Sequence, residues 1–182
     1  MHPLGKTVVA LLMFSSVQSL VAQTSSQLQT LNDHFVGTWV GTNHDYSVNP
    51  VTTSSVTITV TEDKRKHRLN MEYVYVEAGK LTETRYRRYI VVEPATSTVF
   101  INRKGQGKEH LAADGLDELL RNGYGDFTLR GTAWYRGDHH ALVRNDYHLS
   151  PDTWSYEIYV SASGGPFVKT GDWTMKRTKI AP

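Results

Sequence analysis

The 182-residue chain contains no cysteine. No disulfide framework can staple it, and no lipid-modified cysteine can tether it to a membrane. An excess of charge of either sign is missing too. Without the first 22 residues, 19 basic side chains face 18 acidic ones, a net +1. That balance gives no argument for nucleic acid or an anionic membrane as a partner. Long hydrophobic runs are absent. The one apolar stretch near the start, Thr7 to Phe14, is too short to cross a bilayer, so no integral membrane span is expected. Catalytic signatures are also lacking. No Ser/His/Asp order or paired carboxylate has supporting context, and no catalytic residue is assigned. Gly105-Gln106-Gly107-Lys108 lacks the strand–loop–helix spacing of a phosphate loop and reads as an ordinary loop.

The N-terminus has the form of a cleaved secretory signal. Lys6 supplies the positive region, Thr7 to Phe14 the apolar region, and small residues follow to Ala22. An ordinary N-terminal helix is the alternative. Cleavage after Ala22 leaves 182 − 22 = 160 residues, one domain by length, exported to a periplasmic or extracellular location. Residues 23–33 read as a polar, flexible lead-in. Leu31 to His34 offers a turn of helix that closes one end of the fold.

The rest of the chain reads as short strands. Ser55 to Thr61 alternates strictly, with Val56, Ile58 and Val60 on one face and Ser and Thr on the other. His67 to Glu77 sets Leu69, Met71, Tyr73 and Tyr75 against Asn70, Glu72, Val74 and Val76. Further strands are expected over Phe35–Gly41, Leu81–Glu93, Ser97–Arg103, Phe127–Tyr135, Ala141–Leu149, Thr153–Ala162 and Phe167–Lys179. Gly-, Pro- and Asp-containing turns separate them. The pattern breaks once, at Asp114 to Gly123, which predicts a short helix. Asp114 would be its N-cap, Leu116, Leu119 and Leu120 its apolar stripe, and Gly123 its end. Nine or ten strands with hairpin links predict an all-β, up-and-down antiparallel barrel over residues 34–182. A two-sheet sandwich is the alternative. The short helix would lie over the barrel mouth as a lid.

The first strand opens Phe35-Val36-Gly37-Thr38-Trp39-Val40-Gly41, and Arg177 stands near the end of the last strand. In this combination the chain resembles the lipocalin-like (calycin) barrels. It is more similar still to small exported bacterial barrels of that kind without a characterised function, which end in a Gly-Gly hairpin and a Trp-containing strand, here Gly164-Gly165 and Trp173. The resemblance implies that Gly37 and Trp39 form the opening motif and that Arg177 packs over Trp39. It also implies a small apolar or amphipathic ligand in the barrel. Two departures stand out. Asn145-Asp146-Tyr147 matches the second lipocalin motif only as far as Ser150, and the usual disulfide is impossible.

Parity decides which polar residues reach a barrel interior. One of the two arginine sets on the fourth strand, Arg85 with Arg87 or Arg88 beside Tyr86, must face inward unless the strand overruns the barrel. An inward Arg88 near Tyr73, Tyr75 and Tyr156 would orient a carboxylate or phosphate at the base of an apolar cup. Arginines on the outer face or at the rim are the alternative. Arg144 and His148 complete the candidate ligand-binding set, and with Asp146 they would form an inward polar cluster if the barrel were an enzyme. A haem-binding barrel using one proximal His is another alternative; no other cofactor is expected. The fourth reading is a filled barrel acting as a structural module. His139-His140 cannot chelate from one regular strand, because neighbours point to opposite faces, and no metal site is expected. Lys64 to Arg68 reads as a solvated hairpin tip.

Overall fold

The computed structural model describes residues 26–80, 82–103, 107–135, 138–161 and 164–178. Residues 1–22, expected to be a signal, residues 23–25 of the expected lead-in, Gly105 and Gln106 lie outside them, and so do the side chains of Lys108, His139 and His140. A helix over residues 26–35 (α1) leads into ten strands: β1 Gly37–Asp45, β2 Thr52–Asp63, β3 Arg68–Glu77, β4 Glu83–Glu93, β5 Thr98–Arg103, β6 Gly107–Asp114, β7 Gly125–Tyr135, β8 Asp138–Leu149, β9 Thr153–Ser161 and β10 Val168–Arg177. A second helix, α2 (Leu116–Asn122), lies between β6 and β7. Each strand pairs antiparallel with its sequence neighbours, and β1 pairs with β10 to close the barrel. No strand edge is left open.

The register carries the alternating residues into one interior. Trp39 lies between Ile58 and Arg177, Ile58 faces Tyr73, and Tyr73 faces Tyr86. The strictly alternating β2 buries Val56, Ile58 and Val60, as its pattern predicts. The opening motif packs as the resemblance implies. The Arg177 guanidinium carbon sits 4.9 Å from the Trp39 ring centroid, and Trp39 Nε1 donates to the Phe35 carbonyl at 3.0 Å. Gly37 has φ +146, a backbone conformation that disfavours a side chain, and a Cβ there would come 4.0 Å from Arg177 Nε.

Several expectations are corrected. Helix α1 takes in residues 26–30, read as flexible, because Leu28, Leu31 and Phe35 fall on one stripe that packs into the core. β6 occupies a stretch that gave no strand signal, since its inward residues begin with Glu109. Asp114 ends that strand, and its carboxylate meets Arg130 on the surface; the N-cap of α2 is Gly115 at φ +84. A Cβ at Gly115 would come within 2.6 Å of the Asp126 carbonyl oxygen. Helix α2 is no lid over the mouth. It lies with α1 at the plugged end of the barrel, and Leu116, Leu119 and Leu120 are buried there.

Candidate functional site

The barrel interior changes character along its axis. At the plugged end, Leu31 and Phe35 of α1 and Leu116 and Leu119 of α2 meet the inward side chains of the strands. Phe35 packs on Trp154, centroids 4.7 Å apart, and Trp154 packs edge-on to Trp39. A small apolar cavity of about 60 Å³ remains among them.

Above it runs a belt of aromatic rings. Phe127, Tyr147, Tyr156, Trp173, Tyr75, Tyr86 and Tyr73 follow one another with successive centroids 4.6 to 5.2 Å apart. Arg88 lies within the belt. Its guanidinium carbon is 4.8 Å from the Tyr73 ring and 4.9 Å from the Tyr86 ring, and its Nη2 donates to the Tyr86 hydroxyl at 2.8 Å. The Tyr75 and Tyr86 hydroxyls hydrogen-bond to each other. Burial drives the Tyr75 and Tyr156 phenols above their ordinary range, so both are neutral at physiological pH. Burial also opposes the charge on Arg88, but the electrostatic influence of Tyr86, Tyr73, Tyr156 and Tyr75 prevails, and the guanidinium stays cationic.

On the far side of the belt is a cup of about 480 Å³, within the range of small-ligand pockets. Arg88, Tyr75, Tyr156 and Trp173 form its base. Ile101, Ala133, Val143 and Ile158 supply apolar wall, Glu109 and Asn145 polar wall, and Asn43, Asp45 and Ser47 the rim. Among the described residues no carboxylate pairs with Arg88, and its Nε is buried without a hydrogen-bond partner. Trp173 Nε1 and Asn145 Oδ1 are buried and unpartnered as well. In a folded interior such groups are rare and costly.

Four of the six candidate ligand residues are thus brought together: Tyr73, Tyr75, Arg88 and Tyr156. The other two are not. On β8 the inward residues are Ala141, Val143, Asn145, Tyr147 and Leu149, which leaves Arg144 and His148 on the outer face. Arg144 lies over the Tyr159 ring at 4.1 Å and pairs with Asp146 at 3.1 Å. His148, 58 % exposed, meets Asp126 at 2.5 Å. No inward Arg144–Asp146–His148 cluster forms. His110 meets Phe100 edge-on, and His44 is hydrogen-bonded to Asp172 at 2.8 Å. No three His, Asp or Glu side chains of the described residues are grouped as metal ligands. From sequence, Tyr86, Trp173 and Asn145 are named but none of them is counted among the ligand residues, and Glu109 is not named. The phase of Tyr86, Arg88, Ile90 and Val92 on β4 was the available signal for the first.

The nearest thing to a second cluster is on the outer face by the rim. Lys169 bridges Glu157 at 2.6 Å and Asp172 at 2.9 Å, and Tyr46 and His44 also bond Asp172.

No family model matches the chain, and no curated protein matches it. Among solved structures, the fold is similar to that of Rv2717c from M. tuberculosis, at TM-score 0.59 and 13% identity over 84% of this chain and 98% of that one. A DUF3598-family protein with unknown function from Nostoc punctiforme PCC 73102 aligns at TM-score 0.47 and 11% identity, over 80% of this chain and 48% of that one. At 13% identity the likeness to Rv2717c speaks for the fold alone. No helix among the described residues is long and apolar enough to cross a membrane.

Proposed function

We propose that this chain is a non-catalytic binding barrel, exported by its N-terminal signal, that holds a small amphipathic molecule by an acidic head group. Arg88 carries the reading: a cation at the base of a ligand-sized cup, with no carboxylate paired to it among the described residues and a buried Nε that lacks an acceptor. A carboxylate or phosphate supplies both the missing charge and the missing acceptor, and such charge-assisted bonds are the strong ones. The apolar part of the ligand lies against Ile101, Val143 and Ile158. Kinship with lipocalin-like barrels is supported by the Arg177–Trp39 packing and the uninterrupted meander.

The test is calorimetric titration of the purified protein with octanoate and with octanamide, its uncharged counterpart, repeated on Arg88→Met. Octanoate should bind the native protein about 10- to 100-fold more tightly than the amide, and Arg88→Met should remove that difference. Equal affinity for acid and amide, or no binding of either, would sink the reading.

A further inference from the structure

The cup is polar in two places with opposite hydrogen-bonding character. At the base are donors: Arg88 on β4 and Trp173 Nε1 on β10. On the wall are acceptors. Asn145, on β8, faces Leu129 on one neighbouring strand and Ile158 on the other, so nothing in its own row answers its amide. Its Oδ1 is buried and accepts no hydrogen bond. Glu109, on β6 and only 6 % exposed, lines the same cavity and already makes a contact of its own. An unbranched alkyl chain rising from Arg88 would cover the Asn145 Oδ1 with methylene groups. A buried acceptor left without a donor costs more than the bond it fails to make.

We infer that the ligand is not a plain alkyl acid but carries a hydrogen-bond donor, a hydroxyl or amine, at the end away from its acid group, where the donor meets Asn145 and Glu109. This rests on the reading of Arg88 as the anchor of the acid. The ligand class is therefore a compact acid with a terminal donor, its apolar middle held between Val143, Ile158 and Ala133. β4 and β8 stand four strands apart around a ten-stranded barrel, so Arg88 and Asn145 face each other across the cup, with Glu109 on β6 between them.

The experiment compares matched pairs by calorimetry: octanoate with its terminally hydroxylated analogue, and phenylpropanoate with its para-hydroxylated analogue. In the native protein at least one hydroxylated member should bind about fivefold or more tightly than its parent, the effect of one added hydrogen bond. Asn145→Leu should abolish that preference by tightening the plain acid and weakening the hydroxylated one, with Glu109→Gln reducing it. Because the comparison is made first in the native protein, a variant that fails to fold does not blunt it. If plain and hydroxylated acids bind equally, and both need Arg88, the inference is overturned while the acid-binding reading stands. If no acid of either kind binds the native protein, both are overturned.

Discussion

The two ends of this barrel hold an arginine each, and the two arginines do different things. Arg177 lies over Trp39 at the plugged end; Arg88 lies over Tyr73 and Tyr86 at the base of the cup. Both leave a buried Nε without a hydrogen-bond partner, and Arg177 leaves Nη2 so as well. An orphaned guanidinium nitrogen is therefore not by itself a mark of a binding site. The surroundings distinguish them. Arg177 covers a fully buried indole and lines neither interior cavity, while Arg88 lines both the small apolar cavity and the cup. One end is packed to hold the fold together; the other carries polar groups that a ligand can complete.

That division predicts opposite consequences for mutation. The largest effects on stability belong to the plug. Trp39→Ala removes a ring with no exposed surface that touches Phe35 and Trp154. It should cost about 3–5 kcal/mol, read as a fall in the urea midpoint, and Leu119→Ala about 2–5 kcal/mol. Against a total of about 5–15 kcal/mol for a domain, either is a large share. A small loss in both would mean that the helices are loosely seated and that the plug belongs to the ligand cavity after all.

Next in size is Arg88→Met, which should lower acid affinity by about 10- to 100-fold while leaving the urea midpoint unchanged or raising it. Arg88 has no carboxylate partner among the described residues, so an apolar side chain of similar length relieves a desolvation penalty that offsets the Tyr73 and Tyr86 contacts it gives up. Strong destabilisation with intact binding would reverse the comparison and make Arg88 a structural residue like Arg177. Arg177→Met is expected to cost only about 0.5–1 kcal/mol, the loss of a cation over an indole, and to leave binding untouched.

Much of this arrangement is legible in the sequence, and the failures have physical causes. Where two apolar residues share the parity of a polar one, the inward face can be read. Ile90 and Val92 place Arg88 and Tyr86 inside, and Leu69 and Met71 do the same for Tyr73 and Tyr75. On β8 a single apolar residue, Leu142, keeps company with Arg144 and His148. Ala141, Val143 and Leu149 fix the opposite face as inward, so those two candidates point outward. β6 escapes a reading based on hydrophobic period because its inward face includes Glu109, and a charge at a core position erases the alternation. Asn145 is hidden for the same reason. The residues that make the cup a site are those that break the pattern by which strands are recognised.

The smallest expected effect concerns what holds the cup end together in the absence of a plug. Its walls gain support from the outer ion pairs of Lys169 with Glu157 and Asp172. Burial works against the Asp172 carboxylate, but hydrogen bonds from Tyr46, Lys169 and His44 prevail and hold it below its ordinary value of 3.8; bonds from Lys169 and Tyr159 lower Glu157 from 4.5. A carboxyl that is more acidic in the folded state favours folding when charged. Its contribution is complete above the ordinary value and disappears as the pH drops through the lowered one. These groups are solvent-accessible, so the contribution is modest. The plug contains no such pair among its described core residues and should not respond. Amide hydrogen exchange across pH 6 to 3, corrected for intrinsic rates, should therefore show β9 and β10 near Glu157 and Asp172 losing protection before β1 near Trp39 and α2. Asp172→Asn should flatten that difference by removing one of the titrating groups. Simultaneous loosening of both ends would show that the barrel opens as a single unit, with the cup no softer than the plug.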